Sequence, residues 1–176
     1  MQMNDQRSDS KGETGVMPAT AHQYLTFLLE KEEYGVEILK VQEIKSWATL
    51  TPLPNAPAHL LGVINLRGAI VPVIDLKIRF GLTAADPAST RVIIIVRVGE
   101  GAEARIVGLV VDRVSEVYHL EPSEVQESVE SRSGIGHGFV RGIGQIDGKM
   151  VILINLEPIV ASSLATEVAA DVRDAA

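Results

Sequence analysis

The stretch of residues 60–76 reads LLGVINLRGAIVPVIDL, two apolar runs joined by Asn65-Leu66-Arg67-Gly68. Each run is too apolar for a solvent-exposed loop and too short for a separate helix, so both are predicted to be β-strands. In the tight turn between them, Gly68 can adopt the positive φ that is needed, and the Asn65 side chain can bond its own backbone. The stretch therefore predicts a β-hairpin.

Arg67 lies at the tip of this predicted hairpin. A guanidinium held there points outward with five donors, and it loses little backbone freedom when it meets a carboxylate or a carbonyl. The ordinary interpretation is a solvated arginine in a turn. The alternative is a contact with a partner.

Composition indicates a fold built from strands. The chain has 176 residues, enough for one domain or for two small lobes that share an interface. Hydrophobic residues make up 46% of it and aromatic residues only 4%, so its core must consist of Val, Ile and Leu. The β-branched members of that set favour strands.

Charge and cysteine content narrow the class of function. The net charge of −7 and a pI near 5.1 count against nucleic acids and anionic membranes as partners, because both need a basic surface. The absence of cysteine removes disulfides, thiolate nucleophiles and Cys-ligated zinc. With no apolar run as long as a membrane span and no signal peptide, a soluble cytoplasmic protein is expected.

The pattern along the chain divides it into three parts. Residues 1–20 are polar and without periodicity, which predicts a disordered tail. Residues 21–162 carry the strand patterns and form the folded domain. Residues 163–176 are an Ala-rich tail, predicted to be partly helical because helical spacing begins near Pro158 and continues into it.

About ten short strands are expected between these tails. Residues 91–98 contain five consecutive β-branched residues, which is typical of a strand covered on both faces. Asp147-Gly148 joins two further apolar runs and is the strongest hairpin signal in the chain. Residues 112–118 alternate less regularly, so a bulge is expected near Arg113.

One short helix is predicted within the strand-rich region. Residues 39–45 place Val41 and Ile44 three positions apart, a spacing that fits two helical turns. With so little other helix, the chain is predicted to be all-β, and two small barrels packed side by side suit an aliphatic core of this size. Residues 83–90 and 121–138 are expected to be surface connections.

The sequence gives little support for catalytic activity. The four histidines are far apart in sequence, without metal-binding spacing. The glycines between residues 134 and 144 fit no phosphate-binding register, and no nucleophile elbow occurs. We therefore expect no enzyme activity, no cofactor and no metal.

Three blocks of sequence carry a family resemblance. They are residues 34–44, YGVEILKVQEI, residues 62–76, GVINLRGAIVPVIDL, and residues 107–114, VGLVVDRV. From about residue 23 to about residue 160, in unbroken order, the chain resembles the chemotaxis coupling proteins of the CheW family. The N-L-R-G-x-I-x-P-V-I-D-L block is the most specific part of the match.

The resemblance implies a non-catalytic adaptor of two packed SH3-like five-stranded β-barrels, with a short helix between strands and a C-terminal helix. Such an adaptor couples the cytoplasmic tips of methyl-accepting chemoreceptors to the regulatory domain of the histidine autokinase CheA. It reaches membrane receptor arrays through these partners, without direct membrane contact.

The resemblance also implies which residues bind. A receptor-binding groove between the barrels is lined by aliphatic side chains, namely Val41, Ile44, Val107, Val114 and Val117. Positions for a second contact, with kinase or receptor, are Glu43, Gly62, Asn65, Leu66, Arg67 and Gly68.

Two other functions remain open at this point. The chain could be a CheW-like scaffold of a non-flagellar signalling pathway, which pull-down against different kinases would distinguish. It could also be an unrelated β-barrel that binds a small molecule, which tight metabolite binding without affinity for a CheA regulatory domain would indicate.

Overall fold

The computed structural model describes residues 22–83, 90–127 and 138–174. The predictions for residues 1–20 and for most of the two surface connections lie outside this part of the chain. The strands are β1 Gln23–Leu29, β2 Glu32–Glu37, β3 Val41–Ser46, β4 Leu60–Leu66, β5 Ala69–Asp75, β6 Val92–Val98, β7 Arg105–Val111, β8 Arg113–His119, β9 Val125–Glu127, β10 Val140–Ile146 and β11 Lys149–Ile154. The helices are α1 Leu76–Arg79 and α2 Leu156–Asp174.

The strands form two sheets, which are the two SH3-like barrels. Barrel 1 has the strand order β8-β1-β2-β11-β10-β9, and barrel 2 has the order β3-β6-β7-β5-β4. The predicted all-β fold of two packed barrels is confirmed. Barrel 2 has the five strands expected, and barrel 1 carries the three-residue β9, paired with β10, as a sixth.

The two halves of the chain repeat one arrangement. Each half has a hairpin (β1–β2 or β6–β7), a strand that crosses to the other barrel (β3 or β8), and a second hairpin that runs into a helix. In each barrel the second hairpin pairs in parallel with a strand of the other half, β5 with β7 and β11 with β2. Each barrel is therefore completed by strands of both halves.

Both predicted hairpin turns are confirmed. Arg67 and Gly68 have φ of 51° and 87°, and Asp147 and Gly148 have φ of 48° and 78°. Positive φ at both central residues is the geometry that matches the twist of two-residue hairpins. In the first turn the Asn65 Oδ1 atom accepts a hydrogen bond of 2.9 Å from the Gly68 N–H, as its side-chain type predicted.

Buried side chains form three clusters. The largest, which we call the shared core, lies between the barrels and holds 21 of the buried residues of the described chain. Two smaller clusters fill the barrel interiors. Side-chain alternation along β6 separates the shared core from the interior of barrel 2, because Ile93 and Ile95 point into barrel 2 whereas Ile94 and Val96 point into the shared core.

Glycine keeps each barrel interior narrow. A Cβ atom on Gly35 of β2 would lie 2.9 Å from Leu153 Cδ2, and a Cβ atom on Gly108 of β7 would lie 2.9 Å from Ile93 Cγ2. Both distances are below ordinary carbon contacts, so a larger residue would push the walls apart. The two glycines occupy the same place in their respective halves.

The short helix predicted over residues 39–45 is wrong. The chain makes a single 3-10 turn at Ile38–Lys40 and then enters β3. A helix that the sequence did not predict, α1, follows β5, where Asp75 Oδ1 accepts hydrogen bonds from the Lys77 and Ile78 N–H groups at 2.9 and 3.2 Å. This side-chain cap starts α1 at the point where the strand ends.

The predicted C-terminal helix is present as α2, beginning at Leu156. It runs through the predicted domain boundary at residue 162, and Leu164 belongs to the shared core. The start of α2 is therefore part of the folded body. No helix in the described residues combines the length and apolarity that crossing a membrane requires.

Candidate partner-binding site

Strand β3 places two of the predicted groove residues on one face. Its ladder with β6 carries a bulge, so that Val41 lies opposite Val96 and Ile44 lies opposite Ile94. Residues directly opposite each other in an antiparallel pair share a face, and both partners belong to the shared core. The bulge thus gives a strand the three-residue spacing that resembles a helix.

Strand β8 repeats this geometry in the other half. Val114 lies opposite Phe27 and Val117 opposite Leu25, with the register shift between them, and both partners again belong to the shared core. The irregularity expected near Arg113 is therefore present, a little further along the strand. Thr26 fixes it, because its buried hydroxyl donates to the Glu116 carbonyl at 2.8 Å and accepts from the Glu116 N–H at 3.2 Å.

Both strands lie at sheet edges, β3 in barrel 2 and β8 in barrel 1. Val41 and Val114 are half-buried and pack against the shared core, whereas Ile44 is 48% exposed and Val117 is 47% exposed. We call these four residues the edge strips. They are the places where the shared core continues onto the surface as exposed aliphatic side chains.

Val107 does not belong to this surface. Its side chain is 0% exposed and lies within the shared core. The reason is its position on β7, which has β6 on one side and β5 on the other. Its predicted place on the groove wall is therefore wrong.

Two charged residues of the predicted second contact are brought together. Arg67 Nη2 donates to Glu43 Oε2 at 2.7 Å, and Lys45 Nζ lies 3.6 Å from Glu43 Oε1. The Arg67 side chain remains 81% exposed, whereas that of Glu43 is only 22% exposed. Such exposed pairs add little stability, about 0–1 kcal/mol, so the consequence here is orientation of a guanidinium that is still accessible.

The other residues predicted for this contact support the hairpin. Gly62 is buried with φ of 148°, and a Cβ atom there would lie 2.3 Å from the Thr51 carbonyl oxygen. That oxygen accepts a hydrogen bond of 2.8 Å from the Val63 N–H, so the close approach belongs to a backbone bridge. A direct partner contact by Gly62 is therefore wrong. Leu66 packs against the interior of barrel 2, and only Asn65 and Gly68 are exposed beside Arg67.

Sequence reasoning missed two exposed apolar side chains at the hairpin tips. Ile70 of β5 and Met150 of β11 each follow their turn glycine by two residues, and both are largely exposed. Aligning the two hairpins on Gly68 and Gly148 would have found them, because the neighbouring Val71 and Val151 are buried.

Titratable groups give no sign of catalytic chemistry in the described residues. Burial, and then the charge of Arg79, lower the pKa of His59 below its usual value. No group of three or more His, Asp or Glu residues in this part of the chain is arranged to hold a metal ion. The candidate site combines exposed aliphatic side chains with the oriented guanidinium of Arg67, so the fold and site define a two-barrel module whose surface is suited to binding another protein.

Comparison with known proteins identifies the module. Residues 23–164 match the family model described as the CheW-like domain, and the chain belongs to this family. It is 38% identical to the chemotaxis protein CheW of Rhizobium meliloti over 138 residues, which cover 78% of this chain and 86% of that protein. It is 36% identical to the CheW of Klebsiella aerogenes over 140 residues, covering 80% and 82%.

A solved structure agrees in fold. The crystal structure of the scaffolding protein TtCheW from Thermoanaerobacter tengcongensis has a TM-score of 0.71 to this chain at 36% identity, covering 78% of this chain and 91% of that one. The expected family is confirmed, and the chain is a non-catalytic chemotaxis adaptor.

Proposed function

We propose that this adaptor couples the cytoplasmic tips of methyl-accepting chemoreceptors to the regulatory domain of the histidine kinase CheA. The single observation that carries the proposal is the pair of edge strips, where Ile44 and Val117 expose aliphatic surface that is continuous with the shared core. In this proposal the protein is cytoplasmic and reaches membrane arrays through its partners.

The receptor tip is the proposed occupant of the edge strips. A helical hairpin presents apolar residues three and four positions apart, which can lie along a row of aliphatic side chains. Val41 and Val114 are held by the shared core from beneath, so the surface is organised before the partner arrives. Such preorganisation reduces the entropy lost on binding.

Arg67 and Ile70 supply a second contact at the tip of the β4–β5 hairpin. Glu43 orients the guanidinium but leaves most of it exposed, so Arg67 retains donors for a carboxylate or carbonyl of a partner. Ile70 adds exposed apolar area beside it. This contact belongs to the kinase or to the receptor, and the experiment below assigns it.

Coupling through such an adaptor is a matter of linked equilibria. Receptor and kinase bind different surfaces of one body, and a signal passes when one docked geometry favours active kinase over another. The shared core provides the mechanical connection, because both edge strips are continuous with it.

The test is co-purification with a receptor-tip fragment and with the CheA regulatory domain, using wild type, Ile44→Asp and Arg67→Ala. Gln126→Asp is the control for the added charge, because it lies on β9, at the opposite edge of barrel 1 from β8. We expect Ile44→Asp to lose the receptor fragment and Arg67→Ala to lose one partner, with unchanged thermal unfolding. Retention of both partners by both variants would contradict the proposal.

The other two functions give different outcomes. Capture of a kinase from another signalling pathway in place of CheA would indicate a non-flagellar scaffold. Small-molecule binding inside a barrel has little structural support, because Ile93, Ile95 and Val73 fill barrel 2 while Val151 and Leu153 fill barrel 1.

A further inference from the structure

The chain crosses between the barrels twice, and the two crossings are held differently. The second crossing, at Asp112, is tied to barrel 1 and to α1. The Asp112 N–H donates to the Leu28 carbonyl at 3.1 Å, and its Oδ2 atom accepts from the Glu30 N–H at 2.7 Å. The same Oδ2 atom lies 3.3 Å from Lys77 Nζ, in a pair that is largely shielded from solvent.

The first crossing is the 3-10 turn Ile38–Lys40, which precedes β3. None of its three residues is buried, and a cavity of about 270 Å³ lies beside it, lined by Lys40, Asn155 and Glu157 among others. Two ion pairs connect this crossing to the second half of the chain. Glu37 pairs with Arg141 of β10, and Lys40 pairs with Glu157 in the first turn of α2.

Lys40 immediately precedes Val41, the first residue of the β3 edge strip. Ile38 packs partly against the shared core, whereas Leu39 is largely exposed, and the end of the turn next to Val41 is joined to α2 by the ion pair between Lys40 and Glu157. At the start of the β8 strip, Asp112 is held by two hydrogen bonds to the backbone of barrel 1 and by the shielded ion pair with Lys77.

We propose that Lys40 and Glu157 are positioning residues for the β3 edge strip, so that receptor affinity at Ile44 depends on an ion pair with helix α2. Lys40 acts through the backbone of β3 and does not itself contact the receptor. The proposal rests on the receptor binding proposed above and adds α2 as the element that holds one wall of that site.

Isothermal titration with the receptor-tip fragment tests this. We expect Lys40→Met and Glu157→Gln each to weaken binding by about 2- to 30-fold, the range of substitutions that act on a site indirectly. The double variant should bind no more weakly than either single one, because both remove the same pair. Lys40→Arg and the reversed pair Lys40→Glu with Glu157→Lys should recover most of the affinity. Lys31→Met, which removes an exposed charge from the β1–β2 turn, is the control.

The results separate the two proposals. Weakening by Lys40→Met but not by Glu157→Gln would mean that Lys40 contacts the fragment directly, and would overturn the positioning role. If wild type does not bind the fragment, the proposed function fails, and the backbone amide shifts of Val41 and Ile44 then decide the positioning role alone. If the NMR chemical shifts of these amides differ between Glu157→Gln and wild type, the positioning role is supported. If they are the same in both proteins, the positioning role is overturned.

Discussion

Val41 and Val114 occupy equivalent positions in the two halves of the chain, each near the start of a bulged edge strand and each packed on the same core. The residues three positions later, Ile44 and Val117, are about equally exposed. The two edge strips are thus one local structure used twice, once in each barrel.

The two barrels should unfold in one transition, because the shared core holds far more buried residues than either barrel interior. The chain has built-in probes for this. All three tyrosines lie in barrel 1, and the single tryptophan, Trp47, directly follows β3 of barrel 2. Near-ultraviolet circular dichroism of tyrosine and fluorescence of Trp47 should give coincident urea midpoints. Separate midpoints would show that the barrels are independent.

The substitutions Val107→Ala and Ile44→Ala should differ in their effect on the free energy of unfolding, because Val107 lies in the core and Ile44 on the surface. Val107→Ala removes buried methyl groups and leaves a void, so the free energy of unfolding should fall by about 2 kcal/mol. Ile44→Ala, on an exposed side chain, should lower it by less than about 1 kcal/mol while weakening receptor binding. Urea unfolding measures both, and equal losses would contradict the assignment of Val107 to the core.

Gly62→Ala should destabilise the protein by about 2–4 kcal/mol, because the new methyl group would collide with the Thr51 carbonyl in a backbone conformation that already disfavours it. Gly68→Ala is the matched comparison. It also has positive φ but nothing within 4 Å, so only the backbone term applies, about 1–2 kcal/mol. A larger loss for Gly68→Ala would contradict the steric explanation.

His59 should make the protein less stable in mild acid. Its pKa is lowered in the folded state, first by burial and then by the charge of Arg79, from 6.5 in the unfolded chain. Below pH 6.5 the unfolded chain therefore binds a proton that the folded chain resists, and stability falls with pH by at most about 1.4 kcal/mol per unit. Above pH 6.5 this contribution is constant.

Urea unfolding of wild type and His59→Gln between pH 8 and pH 5 measures the effect. Below pH 6.5 the free energy of unfolding of the variant should fall less steeply with decreasing pH than that of wild type. Above pH 6.5 the difference in this free energy between the two proteins should be constant. Parallel curves over the whole range would exclude His59 as a source of the pH dependence.

Local turn chemistry made much of the fold predictable. Asn65-Leu66-Arg67-Gly68 and Asp147-Gly148 identified both principal hairpins, because positive φ at these positions is a property of a few residues. The helix predicted over residues 39–45 failed for an equally physical reason. A bulge puts Val41 and Ile44 on one face of a strand, and periodicity alone cannot distinguish that from a helical turn.

The candidate site was only partly predictable, because exposure depends on the neighbours of a strand. Val107 and Val114 look alike in sequence, yet β7 lies inside its sheet and β8 at an edge. Gly62 lies on β4, and Arg67 lies in the turn that follows it. Only the tertiary structure shows that Thr51 covers the glycine. Family resemblance selected the region for the candidate site, and tertiary packing decides which of its residues reach the surface.

The exchange of β3 and β8 between barrels has a consequence for dissection of the molecule. A cut within residues 84–89 would yield two fragments, and each would hold parts of both barrels but the whole of neither. The adaptor is therefore suited to split-protein complementation, in which the pieces regain structure only by recombining. Barrel 2 corresponds to one uninterrupted segment of the gene, residues 41–111, whereas barrel 1 needs β1 and β2 from before that segment and β8 to β11 from after it.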